Sequence, residues 1–352
     1  MTPRISRRGV LALGAAGSLL GTPAIIRPAR AQARTIYVNS YGGVWETAWR
    51  KAFFDPYTAQ TGVQIKTVPG VSFAKLKAQV QTRNFEWDLV NLGDVEYGQA
   101  VLEGLLDKVD KAAAKTDQLP PHMVRDYGIT SYSLGTNLVY RKDKFPNGGP
   151  QSWADFWDVK DFPGTRALRN DPQTVLEAAL MADGVPRDKL YPLDVDRAFK
   201  KLQQIKPHIA VWWTSGGQSA QLLHDGEVDM EMIWNGRASA VRKDDPDVDF
   251  TFNDGILQNT QLCILKNAPN LPEAVKFVNA AVSPELQANL PLYIDYGPGN
   301  PAAFKTGKIT AQRAKELPSS PENAAKQALM SEEWWASDAG IQAKARWLKF
   351  MQ

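Results

Sequence analysis

Three times between Thr35 and Leu105 a short apolar run is followed by a helical pattern, and this alternation constrains the fold more than any other feature. Thr35 to Val38 reads as a strand. Asn39 to Trp45 is a Gly-containing loop, and Glu46 to Tyr57 a helix with Trp49, Phe53 and Phe54 inward. Val63 to Val68 alternates as a second strand, and Phe73 to Thr82 is helical with Leu76 and Val80 spaced by four. Trp87 to Leu92 is a third strand, Gly93-Asp94 lies just past its end, and Val95 to Leu105 is a third helix. Strand and helix in strict alternation predict a parallel sheet with right-handed crossovers.

The same grammar returns in the second half. Val211 to Trp213 ends a strand, Thr214 to Gly217 makes a tight polar turn, and Gln218 to His224 is helical. Val228 to Trp234 is another strand, and Asn235-Gly236-Arg237 opens a turn. Such junctions present backbone N–H groups and short side chains to a small molecule. Ser215 and Gln218 stand beside a helix N-terminus, where they donate to a ligand unless Ser215 serves only as a cap. Trp234 and Asn235 end a strand at the expected cleft edge. Of Trp212 and Trp213, one is expected in the core and the other is free to face the cleft.

Between and beyond these units the pattern is less regular. Ile129 to Tyr140 reads as a long extended segment broken at Gly135, a suitable place for the chain to cross between lobes. Asp249 to Phe252 and Gln261 to Leu265 read as two further strands. Gln258 and Thr260 share strand parity and point to one side as a polar pair. The tail from Ser331 to Gln352 is helical, with Trp334, Trp335, Ile341, Trp347 and Phe350 available to dock.

The 352 residues carry a formal charge of +3, but the sign comes from the N-terminus. Residues 1–33 hold five arginines and no acid; without them 36 basic side chains face 38 acidic ones. A near-neutral body argues against a nucleic-acid or membrane-surface partner. The first 33 residues read as an export signal: Arg7-Arg8, an Ala/Gly/Leu-rich segment, and Ala31-Gln32-Ala33 as a small-x-small cleavage pattern. Ser6-Arg7-Arg8-Gly9-Val10-Leu11 is similar to a twin-arginine signal. No cysteine follows the apolar segment, so no lipid anchor is expected there, and the exported protein is expected to be soluble and periplasmic. The lone Cys263 lies in an apolar run and reads as a buried thiol. His122, His208 and His224 lack partners at ligand spacing, so neither a metal nor a cofactor is expected.

The ordered segments Tyr41-Gly42-Gly43-Val44-Trp45, Trp87-Asp88-Leu89-Val90 ahead of Gly93-Asp94, Ser152-Trp153-Ala154-Asp155-Phe156-Trp157, Gly226-Glu227-Val228 with Ile233-Trp234-Asn235-Gly236, and Tyr296-Gly297-Pro298-Gly299-Asn300 carry a resemblance. From about Thr35 to Trp347 the chain resembles the periplasmic solute-binding proteins of ABC importers, in their spermidine/putrescine-binding branch. The resemblance implies a two-lobed α/β fold of the class II type with a ligand cleft between the lobes. One lobe would hold residues 34–138 plus 256–304 and the other 139–255, with 305–352 as helices docking on them. It implies a monomer, a small amine as ligand and an inner-membrane ABC permease as partner, and no catalysis.

The resemblance also places Tyr41, Gly43 and Trp45 at the cleft, and Tyr296 rather than Tyr293. Asp94, Glu96 and Asp171 become the candidate carboxylates for a cation, although Asp94 and Asp171 would also serve as plain helix caps. Polyamine binders of the family carry a Trp and an acid where this chain has Gln258 and Thr260. One expected acid is therefore missing, and a smaller cation or a zwitterion suits the pocket better than a long polyamine. The alternatives are a binder of an anion or a sugar on the same fold, or a periplasmic transferase using Cys263.

Overall fold

The computed structural model describes residues 34–70, 72–112, 119 and 123–352; the expected export signal and His122 lie outside the described residues. Strand β1 (Thr35–Ser40) is followed by helix α1 (Gly43–Trp49), which runs through a π-helical turn at Arg50–Phe54 into α2 (Asp55–Thr61). Gly42 and Gly43 start this helix with φ of 70° and 56°, values that favour glycine, so the helix begins three residues earlier than its apolar pattern suggests. Gly62 closes it in the left-handed conformation. Then come β2 (Gln64–Pro69), α3 (Phe73–Thr82), β3 (Leu89–Gly93), α4 (Asp94–Leu102) and the short β4 (Leu106–Asp107).

The second half repeats the plan. After β5 (Ile129–Arg141) and α5 (Trp153–Trp157) come β6 (Arg166–Arg169), α6 (Pro172–Ala182) and α7 (Val195–Ile205). They are followed by β7 (Ile209–Trp213), α8 (Gly216–His224), β8 (Met230–Trp234) and α9 (Asn235–Asp244). The chain then returns through β9 (Val248–Leu265), followed by α10 (Leu271–Ala281), α11 (Pro284–Gln287), α12 (Ala311–Ala314) and α13 (Pro321–Ala324). In each half the first strand is central: β1 pairs in parallel with β2 and β3, and β6 with β7 and β8. The two parallel triplets are joined edge to edge by β5 and β9, giving the order β2-β1-β3-β9-β5-β8-β6-β7.

Two expected breaks are absent. Gly135 does not interrupt β5, and the residues read as two strands near 249 and 265 are one strand of 18 residues. Local pattern suggests a break at Asn253-Asp254-Gly255, but β5 and β9 pair with each other across the region and absorb the irregularity as register shifts. Asp254 adopts a φ of 54° there, and its N–H donates to the Lys326 carbonyl.

The cores follow the halves. Ile36, Val38, Trp49, Phe53, Leu89, Leu262 and Phe277 form one cluster. Trp153, Phe156, Leu176, Phe199, Met230, Trp335 and Trp347 form another, and Trp213, Leu223, Ile233 and Val241 fill the opposite face of the second triplet. The C-terminal helices α14 (Glu332–Ala336) and α15 (Asp338–Met351) supply Trp335 and Trp347 to the second cluster.

Candidate functional site

The carboxyl ends of β1, β3, β6 and β8 converge on one cavity of about 570 Å³. This is where an open α/β sheet places ligands, and the volume lies within the usual range for small-molecule sites. Among the sequence candidates, Tyr41, Gly43, Trp45, Asp94, Glu96, Trp234, Gln258, Thr260 and Tyr296 line it. A more open hollow of about 710 Å³ elsewhere, between Met181–Asp188 and Ala324–Leu329, carries no aromatic residue in its lining.

The aromatic wall is built from the core outward. Trp45 stacks on the fully buried Trp49 with 4.9 Å between centroids, and its indole N–H donates to Tyr132 Oη at 3.3 Å. Tyr41 packs edge-on against Trp45 and donates its hydroxyl to the Asn91 carbonyl at 3.2 Å, so its ring is partly exposed while its polar end is held inside. Tyr132 lies parallel to Tyr296 at 5.0 Å. Gly236 lets Tyr296 approach: a Cβ there would stand 2.6 Å from the ring. The polar pair on β9 also faces in, with Thr136 Oγ1 donating to Gln258 Oε1 at 2.7 Å.

Four candidates are placed away from the wall. Asp171 caps α6 by accepting the Gln173 N–H at 2.8 Å and pairs with Arg169 at 3.4 Å. Ser215 caps α8, and Gln218 turns its carbonyl back onto the Thr214 N–H at 2.9 Å. Asn235 is buried, accepting the Gly135 N–H at 3.0 Å and donating to the Asp295 carbonyl. Asp171, Ser215 and Gln218 satisfy backbone groups of their own turns, while Asn235 serves backbone groups of two distant segments. Trp213 is a core residue bonded to the Met232 carbonyl, while Trp212 packs on Trp347 and Phe350 rather than on the cleft.

Asp94 is not the helix cap that its position suggests. The cap position of α4 is Gly93, and Asp94 begins the helix itself. Its carboxyl is buried and accepts the Asn259 N–H at 2.8 Å, and burial holds it well above the usual carboxylate range. Glu96, in the first turn of the same helix, is the wall's more accessible acid.

The pattern of residues alone missed the two cationic wall residues, Arg169 and Arg237. Arg169 follows β6, with its guanidinium carbon 5.2 Å above the Trp234 ring. Arg237 sits in the first turn of α9, and among the described residues no carboxylate pairs with it. A base in a first helical turn opposes the helix dipole, and that was the signal available in Asn235-Gly236-Arg237. Its guanidinium passes so close to α8 that a Cβ on Gly216 would lie 2.1 Å from Nε. Cys263 is fully buried in β9, and burial pushes its thiol well above its ordinary value, the opposite of what a nucleophile requires.

Comparison with known proteins agrees with this architecture. Residues 52–318 match the family model described as bacterial extracellular solute-binding protein. The chain is 34% identical to the gamma-aminobutyric acid-binding protein of Pseudomonas aeruginosa over 338 residues, covering 94% of each. It is 25% identical to the spermidine/putrescine-binding periplasmic protein of Escherichia coli, over 74% of this chain and 77% of that one. The crystal structure of an ABC transporter substrate-binding protein from Bradyrhizobium japonicum superposes with a TM-score of 0.89 at 54% identity, covering 91% of this chain and all of that one. Among the described residues no helix is long and apolar enough to cross a membrane. A two-lobed α/β sheet whose strand ends open on one aromatic cavity, with sequence and structure matched over nearly the whole described chain, makes this protein a member of the bacterial extracellular solute-binding protein family.

Proposed function

We propose that the protein is the periplasmic binding component of an ABC importer and that its ligand is a small zwitterion carrying an amine and a carboxylate, of the ω-amino acid kind. The observation that carries this reading is Arg237, a cation at the cavity wall with no acid to pair with among the described residues. Arg169 stands on the same wall, already oriented by Asp171 and Trp234. Two guanidinium groups suit a carboxylate, which they bind through paired N–H donors. Glu96 supplies the opposite charge for an ammonium group, and Trp45, Tyr41, Tyr296 and Trp234 supply faces for the methylenes between the charged ends and for the cation. A linear diamine gains nothing from the arginines, and a dianion is repelled by Glu96. The relative named for gamma-aminobutyric acid supports the same class of ligand. The lobes are proposed to divide as 34–138 plus 256–304 and 139–255, with the ligand delivered to an inner-membrane permease by a monomer.

Calorimetric titration with 4-aminobutyrate, putrescine, spermidine and succinate tests the assignment. Binding of 4-aminobutyrate well ahead of the other three is expected. Preference for putrescine or spermidine would return the site to the polyamine class, and preference for succinate would make it an anion site.

A further inference from the structure

Behind the cavity wall two carboxyl groups from distant parts of the chain meet. Asp94 is the first residue of α4, Glu332 is the first residue of α14, and their side chains lie within hydrogen-bonding reach of each other. The helices are in close contact, since a Cβ on Gly98 would stand 2.8 Å from Ala336 Cβ. Each acid has one oxygen served: Asp94 Oδ2 by the Asn259 N–H, Glu332 Oε1 by Arg125. The remaining oxygens, Asp94 Oδ1 and Glu332 Oε2, are buried and have no donor among the described residues.

Two ionised carboxylates are acceptors only and cannot bond each other; with one proton between them they can. Among the described residues Arg125 is the one cation facing the pair, while Glu333 adds negative charge beside it. Tyr97 and Cys263, a phenol and a thiol, are the other titratable groups in the neighbourhood, and Glu96 lies two residues on, in the same first turn of α4. Burial raises both acids, and like charges this close oppose double ionisation. Asp94 also lines the ligand cavity.

We propose that Asp94 and Glu332 hold one shared proton and release it to solvent when the ligand's ammonium group arrives at the Asp94 side of the cavity, so that amine capture is coupled to proton release. This rests on the amine reading of the site. A cation near the pair lowers its affinity for the proton, and linkage requires the converse, that losing the proton strengthens cation binding. Affinity for the amine therefore rises with pH while the pair titrates, by at most about tenfold per pH unit for one proton. Glu332 acts through Asp94 and is a positioning residue.

The test is titration calorimetry of the exported protein with 4-aminobutyrate, in two buffers of different ionisation enthalpy, at mildly acidic and at neutral pH. A buffer-dependent heat corresponding to release of up to one proton per ligand is expected, together with affinity that rises with pH. Glu332→Gln places a permanent N–H donor against Asp94 Oδ1; it should bind 4-aminobutyrate with a flattened pH profile and no buffer dependence. Binding with equal heats in both buffers, or with proton uptake, overturns the coupling while leaving the amine reading intact. No binding of 4-aminobutyrate removes the amine reading and the coupling with it. The shared proton is read without ligand as an infrared difference between the parent and Glu332→Gln: a protonated-carboxyl band at neutral pH that the variant loses, over and above the one that buried Glu231 contributes to both. Absence of that difference overturns the proposal.

Discussion

The guanidinium of Arg169 lies over the indole of Trp234, 5.2 Å from the ring centroid, and so joins the end of β6 to the end of β8 at the cavity wall. Desolvation by the ring face strengthens such a contact, and the Asp171 carboxylate at 3.4 Å orients the group further. Arg237, beside it on the wall, lacks any such partner among the described residues, and this contrast gives the first prediction.

Arg237 is exposed in the ligand-free cavity, and once a bound carboxylate desolvates it, Arg237→Ala should weaken 4-aminobutyrate binding by about 30-fold or more, since truncating one partner of a desolvated charge pair costs roughly 2–5 kcal/mol. Arg237→Lys should recover only part, because an ammonium group lacks the planar fork. Stability should move the other way. Taking a base out of the first turn of α9 relieves an unfavourable dipole contact worth about 0.3–1 kcal/mol. Calorimetry and thermal unfolding on the same samples check both signs.

Gly216→Ala tests the geometry rather than the charge. The new Cβ would stand 2.1 Å from Arg237 Nε and 2.7 Å from the Trp234 ring. Alanine is the better helix former by about 1 kcal/mol, and the flexible arginine is the group able to yield. The expected outcome is a fold of near-parent stability whose affinity falls at least tenfold, measured by the same pair of experiments.

Glu231 offers a pH test of stability away from the cavity. It is fully buried in β8, neither carboxyl oxygen has a hydrogen-bond partner among the described residues, and burial holds its pKa well above the ordinary value. The folded protein keeps this proton while the unfolded chain loses it above a pKa of about 4.3. The folded state then binds more protons, so stability is full below that value and falls as pH rises toward the folded pKa. Glu231→Gln should remove the loss. Urea unfolding at mildly acidic and mildly alkaline pH should show its advantage over the parent growing by roughly 1.4 kcal/mol per pH unit.

Trp335, unlike Glu332 at the start of the same helix, is predicted to be purely structural. Trp335 is fully buried, and its indole N–H donates to Glu177 Oε1 at 2.7 Å; Tyr191 donates to the same oxygen at 2.5 Å. Trp335→Ala should cost about 3–5 kcal/mol by the loss of a large buried side chain. Chemical denaturation should show the loss, and 4-aminobutyrate affinity of the folded fraction should stay within a few-fold of the parent.

The sequence by itself determined what depends on neighbours in the chain. Alternating apolar patterns placed the strands and helices of both halves, because periodicity records which side chains are buried whatever buries them. Strand parity put Gln258 and Thr260 on one side of β9, and the tight Tyr41-Gly42-Gly43 turn put Trp45 near a strand end. Where elements end, local reading could not choose between two uses of one polar side chain. Asp171 and Ser215 cap helices, and Asn235 ties β5 to the Asp295 carbonyl. Only the tertiary structure decided which charged groups reach the cavity. Arg169 and Arg237 come to one wall because β6 and β8 are neighbours in the sheet, and Asp94 meets Glu332 because α14 packs on α4. Those meetings span 68 and 238 positions of chain, and a side chain's charge state depends on burial and on partners at that range, which no local pattern encodes.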